Sequence, residues 1–259
     1  MNSTTAAKGT GAIRTTIKLW SVLVWLIVWQ AVSMGLGQEI LLVSPVSVVI
    51  RTGQLALEAD FWQAISFSFL RIAGGFLAAA AAGTVLAALA ARFRTVEELL
   101  APVILAIKAI PVASFIILAL IWVSSQNLSM LISFLMVFPI IYTNVLSGIR
   151  CTDPQLLEMA QVFDVPIGRR IRYIYISQVL PYFRTACSLA LGLCWKSGIA
   201  AEVIGIPKGS MGEKLYSAKI YLDTPDLFAW TLVIVIVSLV FERLFLALLD
   251  LIVSRLERM

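Results

Sequence analysis

The sequence predicts an all-α, polytopic integral membrane protein with about six transmembrane helices. Three observations predict it. Of 259 residues, 60% are hydrophobic and only 14% are charged, whereas a soluble domain carries about a quarter charged residues. Mean hydropathy is +0.95. The apolar residues also gather into six runs, each near the ~20 residues a helix needs to cross a ~30 Å hydrocarbon core.

Residues 1–17 read as a polar cytoplasmic tail, and residues 18–60 as a first transmembrane helix and an outer loop. The first apolar run is Leu19–Leu36, preceded by Lys8, Arg14 and Lys18. It is long for a signal core, and no small-x-small cleavage site follows it, so it reads as a retained span. The transmembrane domain is placed at 61–252. Its spans are expected at Asp60–Ala91, Pro102–Trp122, Leu128–Ile149, Phe183–Ile204 and Leu227–Leu249. The Asp60–Ala91 run carries "AGGFLAAAAAG", whose small residues let helix backbones approach closely. Lys108 and Pro111 lie in the third run, and Pro139 marks a kink in the fourth that neighbouring helices tolerate. Residues 253–259 form a second cytoplasmic tail.

Lysine and arginine set the orientation. With the amino terminus inside, the inner segments hold Lys8, Arg14, Lys18, Arg92, Arg94, Arg150, Arg169, Arg170, Arg172, Arg255 and Arg258. The outer loops hold only Arg51, Lys208, Lys214 and Lys219. Both termini are therefore expected in the cytoplasm.

Several chemistries drop out. The chain has no histidine, which removes imidazole from catalytic or metal-binding schemes. Cys151, Cys187 and Cys194 form no CxxC and read as small hydrophobes. No basic run interleaved with aromatics supports nucleic-acid binding. No GxxxxGK[ST] loop is present, so the chain is not expected to bind nucleotide. No carboxylate cluster offers an enzyme active site, and no internal repeat favours a secondary transporter.

The segment "EMAQVFDVPIGRRIRYIYISQVLP", Glu158–Pro181, is the polar exception. Asp153 can cap a helix beginning at Pro154 and running to about Phe163. Asp164 and Val165 interrupt it, and Pro166 can start a second short helix carrying Arg169, Arg170 and Arg172. Two readings stand: helices resting on acidic lipid, or a rigid knob seated in a groove of another protein.

This segment resembles the Glu-Ala-Ala-x3-Gly-x9-Ile-x-Leu-Pro motif of permease subunits in type I ATP-binding-cassette importers. Glu158-Met159-Ala160 fits its start with one change. Asp164 stands for the Gly, Ile174 and Ile176 stand for the Ile and Leu, and Ser177 replaces the Pro. "SFLRIAGGF", "LAPVILAIKAIP", "FPIIYTNVLSGIRCTDPQLLEMA" and "LALGLCWKSGIAAEVIG" resemble the nitrate, sulfonate and taurine branch in the same order, over roughly Phe61–Leu249. The usual glycine-containing turn after the third span is absent. Asp tolerates the left-handed turn that the motif Gly permits, whereas Ser177 leaves the start of the fifth span open.

The resemblance implies a transport subunit and not an enzyme. The coupling helices at about 153–172 are expected to be gripped by a pair of separate ATPase subunits through Leu157, Glu158, Met159, Ala160, Phe163, Asp164 and Arg169. Two permease copies, embedded in membrane lipid of the bacterial inner membrane, would form the path, and an extracytoplasmic solute-binding protein would deliver solute. No cofactor is expected in this chain; ATP and Mg belong to the ATPase. Lys196, Ser197 and Glu202 are the path candidates. Lys196, near mid-span where a charge is costly, either faces the solute path and favours an anion or pairs with an acid on another helix. For Glu202 the favoured role is fixing helix or loop geometry. The implied solute is a small anion such as a sulfonate, taurine or nitrate; the alternative is a vitamin or thiamin precursor.

Overall fold

The computed structural model describes residues 19–37 and 41–257. The expected tail at 1–17, with Lys8 and Arg14, and also Lys18 and Arg258, lie outside the described residues. Helices α1 (Leu19–Leu36), α2 (Pro45–Leu55) and α3 (Ala59–Arg92) come first. They are followed by α4 (Arg94–Ala109), α5 (Val112–Ala119), α6 (Ser125–Arg150) and α7 (Pro154–Val162). Next come α8 (Ile167–Arg170), a π turn (Ile171–Tyr175), α9 (Ile176–Gly205), α10 (Met211–Ile220) and α11 (Thr224–Glu257).

Four helical stretches are long and apolar enough to cross a membrane: Ala59–Arg92, Ser125–Arg150, Ile167–Gly205 and Thr224–Ser254. The bent pair α4 and α5 gives a fifth. Trp20–Leu36 is a shorter apolar helix. Four to five spans with one shorter apolar helix agree with the all-α plan of about six.

The core is α6 laid between α3 and α9. Small residues permit it: Ala79, Ala80, Gly83, Ala87 and Ala90 are buried along α3. At Gly75 the α3–α6 fit leaves no space, because a Cβ there would collide with the Met130 carbonyl and reach within 2.9 Å of Ser133 Cβ. Close backbone approach replaces the hydrophobic drive that lipid does not supply. On α11, Phe241 and Phe245 meet Phe69, Phe76 and Trp195 edge-on or tilted. The first turns of α11 bury Ala229, Trp230 and Val233, and no described residue beyond Val233 is fully buried.

Three expectations need correction. The third span is not one helix over Pro102–Trp122, because α4 and α5 meet at 106°. Pro111 explains the break: it drives Ile110 to an extended ψ of 128°, since a residue before proline avoids the helical region. Second, the arginine-rich helix after Pro166 is not separate. Ile167–Gly205 is one path of 39 residues, so the fifth span begins well before Phe183. Third, the two polar loops each contain a helix, α2 and α10. Arg51 on α2 donates to both carboxylate oxygens of Asp226 on α11, and this bond raises the Arg51 guanidinium above its ordinary value.

Candidate functional site

At the end of the core where α6 leaves and α9 begins, α7 forms a stiff projection. Its start is set as the sequence suggests: the Gln155 N–H donates to Asp153 Oδ1 at 2.9 Å, with Pro154 at the first position. The Asp153 N–H donates to Gln178 Oε1 at 3.2 Å, which ties the projection to α9.

Its end is a Schellman turn. The Asp164 N–H donates to Gln161 O at 3.2 Å and the Val165 N–H to Ala160 O at 2.9 Å. Asp164 takes φ 48°, the left-handed conformation. Arg170 then reaches back, Nε to Val165 O at 2.8 Å and a terminal nitrogen to Ala160 O at 3.1 Å.

The outward surface of this turn is apolar. Val162 is 79% exposed and Phe163 75%, with Met159 and Ile167 beside them. Glu158 and Arg169 are exposed and have no ion pair among the described residues. Leu157 is half-buried, and Ala160 is 0% exposed. Ala160 therefore offers its carbonyl to the turn and no surface to a partner. Spacing alone had not singled out Val162, Ile167 or Arg170. The first two carried a signal in their apolar character next to a turn; Arg170 carried none.

The other candidates lie along α9. Lys196 is exposed, on a stripe with Leu189, Gly192 and Leu193. No acidic partner meets it among the described residues. Ser197 is buried, its Oγ donating to Cys194 O at 3.1 Å. Glu202 is 0% exposed and lies on a different face from Lys196. Its Oε2 accepts from Ser68 Oγ at 2.6 Å and from the Gly212 N–H at 3.3 Å. The structure thus does not gather Lys196, Ser197 and Glu202 into one site. Arg71 sits 3.8 Å over the Phe67 ring and donates to Gln126 O.

Closely packed apolar helices with a capped helical projection at one end make up the architecture of a polytopic membrane protein. The comparisons make this specific. Residues 82–258 match the family of binding-protein-dependent transport system inner membrane components, and the chain belongs to that family. It is a permease subunit of the ABC importer type. One relative is the putative aliphatic sulfonates transport permease protein SsuC of Bacillus subtilis (strain 168). It is 27% identical over 214 residues, or 82% of this chain and 77% of that protein. Another is the riboflavin transport system permease protein RibX of Chloroflexus aurantiacus, 27% identical over 221 residues, or 85% and 82%. Among solved structures, one described as an amino acid ABC transporter crystallised with histidines shares the fold. Its TM-score is 0.52 at 18% identity, over 74% of this chain and 90% of that one.

Proposed function

We propose that the chain is the passive gate of an ATP-driven importer, moved by separate ATPase subunits that grip α7. The observation that carries this reading is the α7 projection. Its turn is locked by a left-handed Asp164 and braced by Arg170, and its outward side presents Met159, Val162 and Phe163. Exposed apolar side chains on a stiff helix suit a groove in a partner protein. Glu158 and Arg169 flank them and supply charge for that groove.

In this reading the α7 end faces the cytoplasm, with both termini inside a bacterial inner membrane. The α10 end faces the extracytoplasmic binding protein. Two copies form the path, and the Lys196 stripe on α9 lines it. An ammonium within an apolar span, with no acidic partner among the described residues, favours an anionic solute, because a charge in the hydrocarbon layer seeks a cavity or a counter-charge. The sulfonate named for the Bacillus relative fits that chemistry. A vitamin remains the second reading, favoured by the riboflavin relative.

The test is uptake into proteoliposomes by the chain with its ATPase and binding protein. ATP-dependent accumulation of a sulfonate supports the reading. ATP-independent accumulation by the chain alone contradicts it, and ATP-driven uptake of a flavin but no anion transfers the solute assignment to the vitamin.

A further inference from the structure

We infer that Glu202 and Ser68 are positioning residues, forming a clamp that delivers movement of the coupling turn to α10 at the far end of the molecule. This rests on the coupling role proposed for α7.

The mechanical part is the helical path Ile167–Gly205. At 1.5 Å per residue, its 39 residues span about 58 Å. Its first turn is bonded to the end of α7 through Arg170. Its last turns carry Glu202. One continuous element therefore runs from the projection to α10.

The joint at the far end is polar and fully buried. The first N–H groups of any helix lack partners within it. In α10 they are met by the Ser68 Oγ on α3, which accepts from Met211 N at 2.9 Å, and by Glu202 Oε2 on α9, which accepts from Gly212 N at 3.3 Å. Ser210 supplies the third, accepting from Glu213 N at 3.0 Å. Ser68 Oγ also donates to Glu202 Oε2 at 2.6 Å. Three helices thus share one carboxylate oxygen and one hydroxyl. Gly212 allows the approach, because a Cβ there would fall on the Glu202 backbone and side chain.

Such a joint holds register where apolar packing alone can slide. Hydrogen bonds are directional, and a buried polar group that loses its partner is heavily penalised. Rocking of α9 must carry the start of α10 with it or expose the carboxylate. Ser129 on α6 faces the same buried carboxylate. An amide at position 202 suits these neighbours: the oxygen of a glutamine would keep the Ser68 and Gly212 bonds, and its NH2 would face the Ser129 hydroxyl, which can accept.

The experiment compares wild type, Ser68→Ala, Glu202→Ala and Glu202→Gln in the complete importer in nanodiscs. It reads unstimulated ATP hydrolysis, its stimulation by loaded binding protein, and amide exchange at Met211 and Gly212. In Ser68→Ala and Glu202→Ala, exchange at these amides is expected to accelerate about tenfold. Stimulation falls about tenfold, while unstimulated hydrolysis stays within about twofold. Glu202→Gln behaves as wild type. Equal loss of stimulation in Gln and Ala overturns the clamp, because charge then matters and geometry does not. Parallel loss of stimulated and unstimulated hydrolysis also overturns it, as does unchanged stimulation in Ser68→Ala. If Glu202→Ala does not fold, Ser68→Ala and Glu202→Gln decide. Absence of stimulation in wild type overturns the importer reading itself.

Discussion

Arg170 donates to the carbonyl of Ala160 at 3.1 Å, ten positions back along the chain. With its second bond to Val165 it joins the end of α7 to the start of the long α9 path. Hydrogen bonds from a charged donor contribute about 1.5–3 kcal/mol each when intact. Arg170→Met removes both. The variant is expected to insert and purify as wild type does, but to retain about a tenth of the ATPase in co-purification.

Asp164 occupies the left-handed region at φ 48°. A β-branched side chain there costs about 1–2 kcal/mol, whereas glycine carries no such penalty. Asp164→Val is therefore expected to raise exchange of the Val165 amide, bonded to Ala160 O at 2.9 Å, by about tenfold. Asp164→Gly leaves it unchanged or slows it. Faster exchange in the glycine variant than in the valine variant would show that the turn is not what sets α7.

Phe163 is largely exposed and contributes little to the isolated chain. Phe163→Ala should change the melting behaviour of the purified chain by less than about 0.5 kcal/mol. Burial of a phenylalanine in a partner is worth about 1.5–3 kcal/mol, or roughly ten- to a hundredfold in affinity. Titration of the ATPase against the nanodisc-embedded chain measures it.

Lys196 has no acidic partner among the described residues. Lys196→Met is expected to raise the half-saturating concentration of an anionic solute, or lower its uptake rate, by about tenfold. Unchanged affinity and rate for that anion would remove Lys196 from the path.

Gly75 faces the Met130 carbonyl with no room for a methyl group. Gly75→Ala forces α3 and α6 apart, and overpacking of this kind costs about 1–3 kcal/mol. Thermal unfolding of the solubilised chain should fall by several degrees. No change would place the α3–α6 contact elsewhere.

Much of this was legible in the sequence where the signal is local. The span at Leu19–Leu36 coincides with α1, and Asp153 with Pro154 marks the start of α7. The bend at Asp164 was readable because Asp tolerates the conformation a glycine usually takes. The break in the third span was not readable. Pro102, Pro139 and Pro181 lie inside continuous helices, while Pro111 breaks one. Lipid-embedded helices accommodate proline when neighbours satisfy the freed groups, so the outcome depends on packing far from the residue. The continuity of Ile167–Gly205 was hidden by its arginines, which read as surface. The Ser68–Glu202 bond joins residues 134 apart, a separation that no periodicity encodes.

The central claim is that α7 is a handle worked by a separate ATPase inside the cell. A photocrosslinking amino acid placed at Val162, the most exposed of the large apolar residues at the turn, tests this in intact cells. The account predicts one dominant adduct, with a nucleotide-binding subunit. An adduct with an extracytoplasmic protein, or with lipid alone, would contradict it.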